Sequence, residues 1–301
     1  MGPNRIVKRS NLLNGVFRGV YELRRLVTGK PYIAEADVTV ACNLSCRHCY
    51  HANRRLDHGV EEPPIETWER RFADLYRDGI RHMFLVGGEP ALRPDVLGCA
   101  DRTFPLVDVI TNGTIRIAPE FRHRLFISID GTQATNDELR GAGVFGRVLD
   151  NYRGDSRAVI NMTLMERNYR ELEDVVRIAR DNGLWGVVCN IYTTVRARAA
   201  SDPLVVSDAT RRAMVNEMRR VKRLFPQRFM MTGPMLRWYE TADHTGACYW
   251  RTHVRHFDAA WTARKCFGDA DCSRCGCMAG TFGNHLGAVL HPIQMTRFFM
   301  H

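Results

Sequence analysis

Apolar positions through the middle of this chain follow two alternating rhythms. Short continuous runs at Ile33–Val40, His82–Val86, Leu106–Thr111, Leu125–Asp130, Val159–Leu164 and Gly186–Ile191 read as buried strands. Between them the spacing becomes helical. Glu66–Asp78 places Trp68, Phe72, Leu75 and Tyr76 on one face and stops at Gly79. Arg170–Asp181 does the same with Leu172, Val175, Val176 and Ala179, with Asn168 as a candidate cap and Gly183 just past its end. Strands that alternate with amphipathic helices predict a parallel α/β sheet. Six such units in about 160 residues suit a partial (β/α)6 TIM-like barrel rather than a complete eight-unit one.

The flanks differ from this core. Leu12–Val27 has the spacing of an amphipathic helix carrying Val16, Val20, Leu23 and Val27, ended by Gly29-Lys30-Pro31. Ser207–Phe225 reads as a helix with Met214, Met218 and Val221 inward and Pro226 at its end. From about Phe229 the alternation fades into a stretch rich in cysteine, glycine and aromatics, the composition of a loop-rich segment held by metal rather than by a large core. The expected organisation is an N-terminal helical extension (1–32), a barrel (33–226) and a C-terminal Cys-rich auxiliary-cluster extension (227–301).

Composition narrows the class. With 45% apolar and 25% charged residues, the 301-residue chain reads as globular. No apolar run has the length of a membrane span, and the first residues, Met-Gly-Pro-Asn-Arg-Ile, carry no secretory apolar stretch, so a cytoplasmic location is expected. The net charge of +10 is spread along helix faces without basic clusters interleaved with stacking aromatics, which predicts neither a nucleic-acid nor a membrane partner. Ten cysteines in that setting point to metal ligands or catalytic thiols before disulfides.

Three of them form Cys42-Asn-Leu-Ser-Cys46-Arg-His-Cys49. A C-x3-C-x2-C run puts three thiolates on one short loop, enough for three corners of a cubane cluster. Sites that only carry electrons are normally Cys₄, so a fourth iron without a protein ligand is free to bind a substrate. A zinc knuckle is the alternative, although zinc sites want four ligands, commonly in paired C-x2-C units. The spacing resembles that of the radical SAM superfamily. That resemblance implies a [4Fe–4S] cluster whose open iron chelates S-adenosylmethionine (SAM) and, given one electron, cleaves it to a 5′-deoxyadenosyl radical.

Further elements follow in the superfamily's order, each at the end of a predicted strand, where a parallel barrel keeps its reactive groups. Gly87-Gly88-Glu89-Pro90 resembles the GGEP element: glycines allow close backbone approach, and the resemblance assigns the glutamate to the SAM amino group. Thr111-Asn112-Gly113 and Ser128-Ile129-Asp130-Gly131 look like the signatures that bring Thr111, Asn112, Ser128 and Asp130 near the SAM ribose and carboxylate, with Asn161 a further ribose candidate. His48 stands where family members carry an aromatic that contacts the adenine. Read alone, Asn-Gly and Asp-Gly are also common turn dipeptides.

The tail holds Cys248, then Cys266, Cys272, Cys275 and Cys277. Five thiols in this stretch suggest a second metal site, either an auxiliary [4Fe–4S] cluster or zinc. A cubane has four irons, so one thiol is spare. The last four fall within twelve residues, whereas seventeen residues separate Cys248 from Cys266, which makes Cys248 the expected odd one out. The competing assignment takes Cys248 as a ligand and frees Cys277, as in SPASM or Twitch extensions, from whose usual spacing this tail departs.

A free thiol beside a radical site can return a hydrogen atom to a carbon radical. In this respect the chain resembles the radical SAM epimerases of neomycin-type aminoglycoside biosynthesis. The resemblance implies inversion of a sugar carbon in an antibiotic pathway, with Cys248 as hydrogen donor, an aminoglycoside as small-molecule substrate, and an electron donor such as flavodoxin or ferredoxin. Such a polycation needs carboxylates; Glu35, Asp37, Glu138, Asp243 and Asp258 are candidates, with Tyr249, Trp250 and Trp261 as candidate stacking residues. Two alternatives stay open: a SPASM/Twitch-like dehydrogenase or peptide-modifying enzyme with Cys248 as auxiliary-cluster ligand, and a non-catalytic iron–sulfur or zinc protein. Cys99 and Cys189 read as buried, inert thiols.

Overall fold

The computed structural model describes residues 19–49, 61–196, 199–246, 248–266 and 270–279. The six expected strands are present as β1 (Ile33–Asp37), β2 (His82–Val86), β3 (Leu106–Thr111), β4 (Arg124–Ser128), β5 (Ala158–Leu164) and β6 (Gly186–Ile191). Each pairs in parallel with the next in sequence. Their near-continuous burial explains why they read as unbroken apolar runs: helices cover one face, and the other turns inward. The arrangement is the partial barrel expected of six β/α units.

The segment after residue 226 adds regular structure that its composition concealed. Strand β7 (Val254–Phe257) pairs in parallel with β1, and β8 (Ala263–Arg264) pairs antiparallel with β7. Among the described residues the sheet therefore has eight strands, in the order β6-β5-β4-β3-β2-β1-β7-β8. The sequence reading stopped the sheet at six because β7 is short and mixes Arg255 and His256 into its apolar positions.

Residues 19–28 form the described part of α1. It is followed by α2 (Ile65–Arg77), α3 (Pro94–Thr103), α4 (Gln133–Arg140), α5 (Val144–Tyr152), α6 (Leu172–Asp181), α7 (Asp208–Leu224), α8 (Gly233–Trp238) and α9 (Tyr249–His253). Three helix details correct the periodicity reading. On α1, Val20, Leu23 and Val27 are exposed, while Glu22 and Arg25 are buried; Leu12 and Val16 lie outside the described residues. Polar pairing won over apolar spacing there, because Glu22 accepts from both Arg25 (2.6 Å) and the Tyr249 hydroxyl (2.7 Å). On α2, Tyr76 is exposed rather than buried, with the Arg81 guanidinium 3.8 Å over its ring. Asn168 does not cap α6. It is fully buried, its Oδ1 accepts from Met165 N–H (2.7 Å), and its amide donates to the carbonyls of Asp130 (2.8 Å) and Thr163 (2.9 Å). It thereby ties the end of β5 to the turn that follows β4.

Ser207 caps α7, accepting from Thr210 N–H at 3.1 Å. Met214, Met218 and Val221 of that helix are buried in the main core, as are Cys99 and Cys189.

Candidate functional site

The C-terminal ends of β1 to β6 surround a cavity of about 250 Å³. Its lining includes Cys42, Cys46, His48 and Cys49 on one side and Cys277 and Met278 on the other, with Glu35, Phe84 and Trp250 also in its wall. Gly87, Gly88, Thr111, Asn112, Ser128 and Asn161, singled out by sequence, line it too. The structure thus draws most of the expected site into one space.

Local physics explains the cysteine loop. After β1, Val38 N–H still donates to Val86 O (2.8 Å); the chain then crosses the end of β2, where Gly88 N–H donates to Thr39 O and Glu89 N–H to Ala41 O, both at 2.8 Å. This early crossing ends β1 at Asp37, short of the expected Val40. A Cβ on Gly88 would lie 2.0 Å from Ala41 O, and one on Gly87 2.7 Å from Thr39 O, so the paired glycines exist to let two backbones touch. Glu62 accepts from Thr39 Oγ1 (2.5 Å) and Val40 N–H (2.8 Å), bracing the loop from outside.

The thiols receive donors. Leu44 N–H points at Cys42 Sγ (3.4 Å), the Asn112 amide reaches the same sulfur (3.8 Å), and Arg140 Nη1 lies 4.0 Å from Cys46 Sγ. Asn112 also donates to Asn43 Oδ1, and Asn43 to Thr114 Oγ1, both at 2.8 Å, which locks the loop to the end of β3. Burial pushes the Cys46 thiol up, and the Arg140 charge opposes it. Three thiols on one cavity wall, with amide and guanidinium donors aimed at two of them, fit a cluster ligand set.

Glu89 differs from its expected place. It is fully buried and does not belong to the cavity wall; its carboxylate accepts from Ala91 N–H (2.9 Å), Thr111 Oγ1 (2.6 Å) and Asn112 N–H (2.7 Å). Burial raises its pKa against those three donors. Its structural work is to hold the β3 end against Pro90, which starts a short 3₁₀ turn. His48 lines the cavity with Nε2 2.9 Å from Asp130 Oδ2, while its buried Nδ1 has no hydrogen-bond partner among the described residues. Asp130 faces Arg140 Nε at 2.6 Å. Burial alone would raise Asp130, but Arg140 and His48 overcome it and hold the carboxyl well below the usual range. Arg140 was missed by sequence, since nothing in α4 marks it as functional before α4 folds against the cysteine loop.

The second thiol group is equally crowded. Cys275 feels Cys248 and Cys272, and Cys277 feels Cys275, Cys266 and Cys248. Burial pushes Cys275 up to about 12 and Cys277 well above the usual thiol value. Arg251 Nη1 reaches Cys272 Sγ at 3.7 Å, and Cys277 N–H points at Cys275 Sγ at 3.4 Å. Cys248 is buried at the start of α9. Its separation along the chain therefore does not separate it in space, and it is Cys277, not Cys248, that lines the cavity. Among the described residues no three His, Cys, Asp or Glu groups converge tightly enough for a single metal ion. A cubane asks for something looser, since each thiolate meets a different iron.

Buried polar networks missed by sequence hold α9 in place. Trp250 Nε1 donates to Glu35 Oε2 (3.2 Å), and His256 bridges Glu35 Oε1 (3.2 Å) and Trp250 O (2.8 Å). Arg264 donates to Asp37 at 2.9 Å. Burial would raise Glu35, but His256 and Arg264 hold it low. Of the candidate carboxylates only Glu35 lines the cavity. Glu138 pairs with Arg47 and Arg167 at the surface, Asp243 accepts from Thr245, and Asp258 accepts from Thr262 N–H. Of the candidate stacking residues only Trp250 does; Tyr249 is bound to Glu22, and Trp261, half-buried, stacks on Phe257 (4.4 Å, 8° between planes) against the core.

Comparisons with known proteins agree with this geometry. The pattern of the Radical SAM superfamily matches residues 37–197. Pre-heme d1 synthase of Dinoroseobacter shibae is 33% identical over 172 residues, 52% of this chain and 42% of that protein. Mycofactocin maturase MftC of Mycobacterium ulcerans is 33% identical over 160 residues, 48% of this chain and 42% of that one. The match thus takes in less than half the length of these relatives. Among solved structures, Streptococcus suis SuiB bound to S-adenosylmethionine shares the fold, with a TM-score of 0.61 at 17% identity, over 79% of this chain and 64% of SuiB. No described helix is long and apolar enough to cross a membrane. With three thiols, two touching glycines and a polar rim gathered where the parallel strands end, and more than half the sequence matching the family's pattern, the chain belongs to the radical SAM superfamily.

Proposed function

We propose that this chain abstracts a hydrogen atom from a carbon of a substrate seated between Cys42, Cys46 and Cys49 on one side and Cys277 and Met278 on the other. When bound at the first three cysteines, a [4Fe–4S] cluster and SAM supply the hydrogen-abstracting radical that the superfamily uses. The observation that carries this reading is a cavity lined by all three cysteines of the first group and by Cys277 of the second. The chain's own residues position the reactants. Asn112 and the Leu44 N–H stabilise the Cys42 thiolate, and His48 lines the space that takes the nucleoside. Ser128, Asp130 and Asn161 form or brace the polar rim, and the paired glycines keep the loop close enough to share that rim.

The C-terminal cysteines serve as an auxiliary iron–sulfur site of SPASM or Twitch type, with Cys248 among the ligands. Its place inside the crowd of Cys272, Cys275 and Cys277 favours that role, and so does kinship with a maturase. The substrate is then a peptide or another molecule that is dehydrogenated or cross-linked, with the auxiliary site taking up an electron. A second reading keeps Cys248 as a hydrogen donor in the epimerisation of an aminoglycoside sugar. It is favoured by the placement of Cys248 two residues from cavity-lining Trp250.

Cys248→Ala separates the two. As a ligand its loss removes up to half of the bound iron; as a donor its loss leaves iron and 5′-deoxyadenosine release intact and abolishes solvent deuterium incorporation into product. Absence of 5′-deoxyadenosine from reconstituted wild type given dithionite and SAM refutes the radical chemistry itself.

A further inference from the structure

A buried positive charge stands against the first cysteine group with no role in the reaction just described. Arg140 is the last residue of α4, and the preceding carbonyl, Leu139 O, accepts from Arg47 N–H at 3.0 Å, so the cysteine loop is docked on that helix end. The guanidinium sits among three groups. Nε donates to Asp130 Oδ2 (2.6 Å), Nη2 lies 3.5 Å from His48 Nε2, and Nη1 lies 4.0 Å from Cys46 Sγ. Asp130 is fixed in turn: Thr163 N–H donates to its Oδ1 (2.7 Å), its own N–H donates to Asn136 Oδ1 (3.0 Å), and Asn168 donates to its carbonyl (2.8 Å). Charges held this firmly and away from water act at low effective dielectric.

Given the cluster reading above, we propose that the Arg140–Asp130 pair sets the reduction potential of the cluster held by Cys42, Cys46 and Cys49. Reduction adds one negative charge to the cluster. A guanidinium 4.0 Å from a ligand sulfur stabilises the reduced form more than the oxidised form, while the carboxylate behind it tempers that pull and keeps the guanidinium aimed. The forked geometry suits arginine, because separate nitrogens of one rigid plane reach the carboxylate and the sulfur. Both residues are positioning and tuning groups with respect to the cluster.

The test is an anaerobic redox titration of the reconstituted full chain, with dithionite as the one-electron donor and electron paramagnetic resonance as the readout. The first cluster is identified by the change in its signal when SAM is added. Arg140→Gln should move its potential to more negative values and Asp130→Asn to less negative values. The double variant, which removes both charges, should return towards wild type. Opposite signs cannot arise from general loosening of the loop. Should Arg140→Gln fail to retain the cluster, the direction of the Asp130→Asn shift decides. Potentials that stay put, or that move the same way in both variants, overturn the role of the pair while leaving the cluster in place. A wild type with no reducible cubane overturns the cluster reading instead.

Discussion

Gly88→Ala puts the construction of the first cysteine loop to a direct test. The added Cβ would meet Ala41 O at 2.0 Å, Ala41 C at 2.6 Å and Val40 O at 2.8 Å. All three are backbone atoms, so no side chain can swing aside. Relief requires the 39–42 segment to move away from the end of β2, which breaks the bonds from Gly88 N–H to Thr39 O and from Glu89 N–H to Ala41 O. Two net hydrogen bonds at about 0.5–1.5 kcal/mol each and an overpacking cost of about 1–3 kcal/mol give a local penalty of about 2–6 kcal/mol. Even the lower bound disfavours the native loop about thirtyfold. Because the displaced segment leads directly into Cys42, the expected result is loss of the first cluster: roughly half the iron of a two-cubane protein, with SAM cleavage falling in proportion. The control is Gly98→Ala in α3, where the nearest atom is the flexible Arg102 Nη1 at 3.4 Å; there alanine should add about 0.5–1 kcal/mol of stability. Iron analysis, the SAM cleavage rate and thermal unfolding read the outcome. A Gly88→Ala protein with full iron, unchanged cleavage and unchanged Tm would refute the close-contact account.

Gly276→Ala should do the same at the second site, since its Cβ would lie 2.2 Å from Ile191 O. Expected is selective loss of auxiliary iron with SAM cleavage retained, measured by iron content and 5′-deoxyadenosine release. Tyr249→Phe removes the hydroxyl that donates to buried Glu22; leaving that acceptor without one of its donors should cost about 1–3 kcal/mol, read by denaturant unfolding. Asp130→Asn should change the acid limb of stability. A carboxyl held below its ordinary pKa contributes stability that is complete above the ordinary carboxylate range, near pH 4, and is lost as the pH falls towards the folded value. The variant should therefore be less stable than wild type at pH 7 by about 3–5 kcal/mol and should converge with it on acidification; a gap that persists at low pH would contradict this.

Elements whose burial is set by their own strand or helix were legible in the chain. The six barrel strands, α7 with its inward Met214, Met218 and Val221, and the order of motif loops followed from local apolar runs and from turn residues at strand ends. Failures cluster where a partner distant in sequence decides. The spacing of α1 pointed Val20, Leu23 and Val27 inward, yet Glu22 and Arg25 took the buried side because Tyr249, far along the chain, supplies a hydroxyl there. Strand β7 was invisible because its polar His256 is satisfied only by Glu35 and Trp250. The contacts of the Glu89 carboxylate with Thr111, Asn112 and Ala91 were likewise not legible in the chain.

By itself, then, the order of residues determined the alternating α/β architecture, the family, and the loop on which three thiols stand together, because each depends on contacts within a few residues or on a spacing that no other chemistry uses as well. Tertiary structure alone decided which of those residues face the cavity and which brace it. It gathered Cys248 with thiols from which the sequence had separated it, placed Arg140 and Asp130 beside Cys46, and turned Glu35 towards Trp250. Those outcomes rest on charge pairing and backbone approach between segments far apart in the chain, whose energies exist only once burial has removed water from around them.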